Sequence, residues 1–281
     1  MLAILSVVLY ACNKKTTEET FDSAAQAVID NDSIVKFLQS HYFDTAIDSI
    51  KTIDNGQTSL YKDTKLKTMD ITENDIDYKL YVYVNRVGDD PKEKGFPTIM
   101  DSIFATYDLK YIETTAKLED VRTIKSGTWF GQVQSYVKGR LYGFTNFKGG
   151  ENVSTDGEPI NYTGGGKGIL FIPSGLGYAN TTGLSVPANS CLVYYINLWD
   201  IIPNTDHDND GIPSINEDPN GDGNPLNDDT DQDGALNFLD ADDDNDGQLT
   251  KNEDANGDGN PRNDFSDPNN PTLADYLNPL K

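Results

Sequence analysis

The last stretch of the chain limits its fold more than any other part. Residues 204–281 carry 21 acidic and three basic side chains, −18 of the formal −24 of the whole sequence. Charge of that density repels itself. The large apolar residues there (Ile212, Ile215, Leu226, Leu236, Phe238, Leu239, Leu249 and Phe265) are too few for a conventional core. An ordered state therefore needs cations, and the acids are spaced to hold them. Asp206, Asp208, Asp210, Gly211 and Glu217 fit D-x-D-x-D-G-x5-E, and Asp242, Asp244, Asp246, Gly247 and Glu253 fit it again. Ca²⁺ takes about six to eight hard oxygens; acids at positions 1, 3 and 5 wrap one ion, Gly at 6 allows the sharp turn, and the acid at 12 closes the site.

Looser copies start at Asp218 (with Asn220 and Asp222), at Asp229 (with Asp231, Asp233 and Asp240) and at Asp254 (with Asn256 and Asp258). The five starts are 12, 11, 13 and 12 residues apart. That period leaves no room for the helices that flank an EF-hand loop, and Pro213, Pro219, Pro225, Pro261 and Pro268 would break them. The arrangement resembles thrombospondin type 3 repeats. The resemblance implies an irregular rod wrapped on several calcium ions, with little regular secondary structure, in which binding and folding are one event. Extracellular loops of this kind bind calcium at about 10⁻⁴–10⁻³ M. A disordered acidic tail would not hold the Gly-at-six register.

The other constraining stretch is Lys167–Ile201. Gly168–Ile172 is a β-branched and aromatic run stopped by Pro173, Gly175 and Gly177. In Cys191–Ile201 the residues Leu192, Tyr194, Ile196 and Leu198 share one face of a strand. Between them a loop carries Tyr178 and Val186-Pro187. An antiparallel sheet with an aromatic-rimmed loop over one face is predicted.

Phe171-Ile172-Pro173-Ser174-Gly175-Leu176-Gly177-Tyr178 and Val186-Pro187-Ala188-Asn189-Ser190-Cys191-Leu192-Val193-Tyr194 resemble, in order and spacing, the C-terminal half of an FKBP-type peptidyl-prolyl isomerase. The family writes these blocks L-x-I-P-x-x-L-A-Y-G and I-P-x-N-A/S-x-L-V-F. Asp101–Ile112 resembles the family's first long strand, with Tyr107 at its pocket tyrosine. Tyr136–Phe144 aligns with the short helix block V-I-x-G-W-x-x-G-L, keeping Val137, Gly139 and Gly143 but placing Arg140 where the family has the Trp of the pocket floor. The Phe and Asp of the family's D-G-x-x-F-D-S are absent; Leu118 and Glu119 are the nearest substitutes. Asn146–Gly166 reads as a Gly- and Asn-rich insertion.

The resemblance implies an α+β domain in which an antiparallel FKBP-like sheet wraps a short helix. It further implies isomerisation of Xaa-Pro bonds without a cofactor, in a pocket of Tyr107, Val137, Tyr178, Val186 and Tyr194. Tyr178 would donate to a substrate carbonyl. Arg140 in place of the indole predicts a wetter, shallower cavity, which Trp129 or Trp199 could refill. A binding module with little turnover, and a calcium-dependent surface spacer or adhesive protein, are the competing readings.

At the N-terminus the apolar run Leu2–Leu9 is too short to span a bilayer and ends in Leu9-Tyr10-Ala11-Cys12, which resembles a bacterial lipobox with Cys12 lipidated. No basic residue precedes it. Anchoring to a membrane of the cell envelope, the outer membrane above all, is expected, with Xaa-Pro segments of exported proteins as partners. The partition expected is 1–12 signal peptide, 13–30 tether, 31–100 helix and strand extension, 101–203 FKBP-like domain, 204–270 calcium repeats and 271–281 tail. Asp32 is read as the N-cap of a helix carrying Ile34, Val35, Leu38 and Tyr42, and Tyr78–Val87 as a strand. With Cys12 acylated, Cys191 leaves no internal disulfide, and two histidines offer no material for a zinc site or a Ser-His-Asp triad. No basic, aromatic cluster exists to hold nucleic acid.

Overall fold

The computed structural model describes residues 21–131, 137–181 and 185–280; the lipobox and Cys12 lie outside them. Helix α1 (Ser23–Ser40) runs into a hairpin of β1 (His41–Asp44) and β2 (Ser49–Thr52). Then come β3 (Leu66–Glu73), β4 (Ile76–Arg86), β5 (Ser102–Ile112) and β6 (Leu118–Gly131). Helix α2 (Lys138–Phe144) follows, then the two-residue strands β7 (Glu151–Asn152) and β8 (Tyr162–Thr163), and finally β9 (Gly166–Ile172) and β10 (Leu192–Ile202). Six strands form one sheet in the order β3-β4-β9-β10-β5-β6, antiparallel at every step. The α+β class and the antiparallel sheet agree with the sequence.

The two middle strands are covered on both faces. Leu170, Ile172, Leu192, Tyr194, Ile196 and Leu198 point into one core, while Ile169, Phe171, Cys191 and Val193 point into the other. Gly168–Ile172 therefore reads as an unbroken apolar run instead of an alternating one. Helix α2 closes the first face, and its two glycines let it approach. A Cβ on Gly139 would lie 2.4 Å from Ile172 Cγ2, and one on Gly143 would lie 2.6 Å from Leu170 Cδ1. Helix α1 closes the second face through Ile34, Phe37 and Leu38, which pack with Tyr81, Tyr83 and Phe171.

The second layer departs from the expectation of a sheet wrapped on one short helix. The N-cap is Asp22, whose carboxylate accepts from Ala25 N at 2.9 Å, not Asp32. Residues 23–30, read as tether, are helical, and Tyr42 belongs to β1. The buried stripe is Ala27, Asp30, Ile34, Phe37 and Leu38. Its second member is an acid, so hydropathy alone starts the apolar face a turn late. Strands β3 and β4, on the N-terminal side of residue 101, are hydrogen-bonded into the same sheet as β5–β10, so the boundary drawn at 100/101 falls inside one structural layer.

Past β10 regular structure gives way to loops, each ended by one 3₁₀ turn: Ser214–Asn216, Pro225–Asn227, Asn237–Leu239, Thr250–Asn252 and Pro261–Asn263. Thr205 ties them to the sheet, its hydroxyl accepting from Ser102 N at 2.8 Å while its own N–H donates to Asp101. The loops do not run on as a rod. Ala274 and Tyr276, from the stretch read as a free tail, pack on Ile212 of the first loop.

Candidate functional site: an aromatic cluster and a row of carboxylate loops

The five residues expected at the pocket come together. Tyr107 on β5 and Tyr194 on β10 meet edge to face at 5.2 Å, and Val137 at the start of α2, Val186 and half-buried Tyr178 pack into the same cluster. The Tyr194 hydroxyl bonds to that of Tyr178. Burial raises the pKa of both.

Arg140 is the departure from the expected wet cavity. It is buried, and its guanidinium carbon sits 4.6 Å from the ring centre of Phe130, 5.4 Å from Tyr107 and 5.9 Å from Tyr194. Three π faces stand in for a counter-ion. Its Nε has no hydrogen-bond partner among the described residues. Trp129 and Trp199 do not refill the space; they associate with Phe104 and Tyr162. Phe130 does, 5.9 Å from Tyr107. Leu118 and Glu119 are not pocket substitutes either, because they pair with Ile112 and Tyr111 beside the β5–β6 turn, and Leu118 packs in the other core.

Two irregularities interrupt the β5–β6 ladder. The one between Leu109 and Lys110 adds one residue to β6 and reverses its faces, so Leu118 packs in the other core. The one between Ala105 and Tyr107 adds two and keeps the face, so Phe130 shares the Tyr107 core with Ile124.

The loop bearing Tyr178 is fastened from behind. Asp30 of α1 is buried and accepts from Ser174 N at 2.7 Å, from Ser174 Oγ at 2.6 Å and from Gln26 Nε2 at 2.8 Å. The helix that covers the second face thus also holds the loop over the first.

The five acidic loops share one construction. In each, the N–H of the glycine at position 6 donates to the acid at position 1: Gly211 to Asp206, Gly223 to Asp218, Gly234 to Asp229, Gly247 to Asp242 and Gly259 to Asp254. Asp210, Asp222, Asp233, Asp246 and Asp258 donate their N–H to Asp208, Asn220, Asp231, Asp244 and Asn256. Position 4 as well as position 6 is left-handed, as at Asn209 (φ 63°) and Gly211 (φ 100°), which explains the Asn, Gln or Gly found there. The spent oxygens turn to the backbone, and the others converge. Asp208 Oδ2, Asp210 Oδ2, Asp229 Oδ1, Asp231 Oδ2, Asp242 Oδ1 and Asp244 Oδ2 are buried without hydrogen-bond partners among the described residues.

Carboxylate oxygens gather within 4.8 Å of one another in Asp206/Asp208/Asp210, in Asp229/Asp231/Asp233, in Asp242/Asp244/Asp246, in Asp218/Asp222/Asp228 and in Asp210/Glu217/Asp243. Asp240, Glu253 and the fifth loop's Asp254 and Asp258 join no such trio among the described residues. Burial and neighbouring acids push Glu217 up to about 10 and Asp243 up to about 9, and raise Asp208 as well. These oxygens are the hard, anionic set that Ca²⁺ takes, and a cation among them would reverse those shifts.

Three acids escaped the sequence pattern: Asp228, Asp243 and Asp264, all buried. In loop two Asp228, one residue short of position 12, joins Asp218 and Asp222; in loop five Asp264, at the same place, accepts from Asn256 N at 3.0 Å. The signal for this is a longer repeat, Asn220-Gly-Asp-Gly-Asn-Pro225-x-Asn227-Asp228 recurring 36 residues on as Asn256-Gly-Asp-Gly-Asn-Pro261-x-Asn263-Asp264.

The family described as BamM C-terminal matches residues 207–275, the repeats alone. A search of the curated proteins gives no match. Among solved structures the chain is similar to FkpA from Escherichia coli, with 23% identity over 50% of this chain and 54% of that one and a TM-score of 0.35. It is similar to a peptidyl-prolyl cis-trans isomerase from Pseudomonas syringae, with 13% identity over 65% and 97% of the two chains and a TM-score of 0.38. It is also similar to the N-terminal domain of FKBP42 from Arabidopsis thaliana, with 14% identity over 44% and 86% and a TM-score of 0.31. The chain thus spans about half the length of the FkpA chain, 54% of it.

Proposed function

We propose that the sheet region is an FKBP-like peptidyl-prolyl isomerase domain and that the repeats are its calcium-loaded companion. The observation that carries the first part is the convergence of Tyr107, Val137, Tyr178, Val186 and Tyr194, drawn from separate elements, into one apolar cluster. Rotation about an Xaa-Pro bond meets a barrier of about 18–20 kcal/mol from amide resonance. An aromatic cavity lowers it by preferring the twisted, less polar amide over the planar one, with no nucleophile or base. In this reading Tyr178 O–H donates to the substrate carbonyl. Arg140 sets the floor, its charge held by three rings.

In the second part, Asp206, Asp208, Asp210 and Glu217, and their counterparts in the later loops, hold Ca²⁺ and neutralise a region that would otherwise repel itself. A lipid on Cys12 places the protein at a membrane of the cell envelope, the outer membrane by preference, where exported proteins offer Xaa-Pro segments and millimolar calcium fills weak loops.

The test is a proline-isomerisation assay of the full chain in calcium, with and without Tyr178→Ala. Catalysis above the uncatalysed rate that falls at least about tenfold in the variant supports the reading. No acceleration by a folded sample overturns the enzyme. The second reading would then stand, a module that binds Xaa-Pro segments without turnover; the buried guanidinium of Arg140 among the pocket rings favours it.

A further inference from the structure

Position 2 of the five loops is occupied by His207, Pro219, Thr230, Asp243 and Ala255. Only the fourth loop has an acid there, and that acid does not serve its own loop. Asp242, Asp244 and Asp246 form the fourth loop's trio, while Asp243 joins Asp210 and Glu217 of the first. We propose that Asp243 is a ligand, supplied from the fourth loop, of the cation held by Asp210 and Glu217 of the first loop, so that one Ca²⁺ cross-links two segments separated by residues 218–242. This rests on the calcium reading of the repeats.

Three carboxylates meet here with exposures of 0% for Asp210, 0% for Glu217 and 1% for Asp243. Both oxygens of Glu217, both of Asp243 and Oδ2 of Asp210 have no hydrogen-bond partner among the described residues. Burying one such anion without a partner is expensive, and three together either take up protons or hold a cation between them; a cation answers all five unpartnered oxygens at once. The surroundings supply little relief. Asp208 and Asp240 add negative charge, and Lys251 acts on Asp210 without forming an ion pair among the described residues. Asp243 is held in place by its backbone, whose N–H donates to Thr250 Oγ1 at 3.2 Å, with Thr250 itself fully buried. The same junction draws in the C-terminal segment, since Ile212 of the first loop packs on Ala274 and Tyr276. The folded-back form of the repeats follows from this tie, because a loop that kept its ion to itself would leave its neighbours free to splay.

The experiment is calcium titration of the full chain by calorimetry, unmodified and as Asp243→Asn, Asp210→Asn, Asp246→Asn and the doubles. Asp243→Asn should weaken one site at least tenfold. Adding it to Asp210→Asn should harm no further site, because both strike one ion, whereas adding it to Asp246→Asn should harm a second. Small-angle scattering in saturating calcium should show expansion for Asp243→Asn and not for Asp246→Asn. An unchanged isotherm for Asp243→Asn overturns the proposal, and so does a pattern in which Asp243→Asn and Asp246→Asn strike the same site. Asp243→Glu, which keeps the charge but displaces it, supplies the same comparison if the asparagine variant fails to fold. Absence of any binding by the unmodified chain at millimolar calcium is a different result: it removes the calcium reading itself, and the cross-link with it.

Discussion

The sheet and the repeats bury opposite things. Around the sheet the fully buried side chains are Phe37, Tyr83, Phe144, Phe171, Tyr194 and their like, and a buried acid such as Asp30 has every acceptor used. In the repeats the buried side chains include Asp210, Glu217, Asp243, Asp244 and Asp264, and the buried apolar ones are few: Ile212, Phe238, Ala274, Tyr276 and the prolines Pro225 and Pro261. One region is stabilised by removing hydrocarbon from water. The other gathers carboxylate oxygens within 4.8 Å of one another. A single chain thus uses two codes, one read in hydropathy and one read in the spacing of carboxylates.

The largest break between the two should come from calcium removal. Chelation is expected to abolish the ordered state of residues 206–278, because the trios then become uncompensated buried charge. The sheet should keep its cooperative thermal transition. Limited proteolysis with and without chelator checks this: cuts confined to the repeats agree, whereas loss of the sheet as well would show that the joint through Asp101 and Thr205 makes the two regions one folding unit.

Asp30→Ala probes the sheet side alone. It leaves the N–H and hydroxyl of Ser174 buried without their acceptor, which should destabilise the sheet transition by roughly 3 kcal/mol. It should also loosen the loop that carries Tyr178 and so weaken Xaa-Pro binding, while calcium affinity stays as it was. Chemical denaturation and a calcium titration of the same sample separate the two. An effect on calcium binding would contradict the independence of the regions.

These contrasts also explain what could be read without coordinates. The strands around Phe171 and Tyr194 were legible because both faces are apolar and the glycines and prolines mark their ends. Tyr107, Val137, Tyr178, Val186 and Tyr194 followed from the resemblance to FKBP-type isomerases, whose motifs keep their order and spacing here. Phe130 did not, because the bulge at Leu109/Lys110 puts Leu118 and Phe130 on opposite faces of β6 although they stand an even number of residues apart, and a local pattern carries no record of a bulge. Helix α1 was half visible, its apolar stripe interrupted by Asp30, an acid whose partner lies 144 residues further along the chain. In the repeats the carboxylates at positions 1, 3 and 5 were plain, since a loop writes them locally. Asp243 was not, for its partners belong to another loop, and only folding brings them together.

The smallest effect expected is acid destabilisation of the sheet region through His41. Its ring stacks on Phe37 at 3.9 Å, Nδ1 meets the Phe37 carbonyl at 2.9 Å and Nε2 meets Thr52 Oγ1 at 3.3 Å. With Nδ1–H donating to the carbonyl, Nε2 accepts from the threonine, an arrangement available only to the neutral ring. Burial lowers its pKa below 6.5 and outweighs the opposing bond to Phe37. Below pH 6.5 the unfolded chain therefore binds the proton before the folded one does. Stability from this group is complete above pH 6.5 and is lost as pH falls through the folded pKa. In calcium, the sheet transition of the unmodified protein should fall between pH 7 and 5 more steeply than that of His41→Gln, which cannot titrate there. Equal slopes would mean that His41 is not the group responsible.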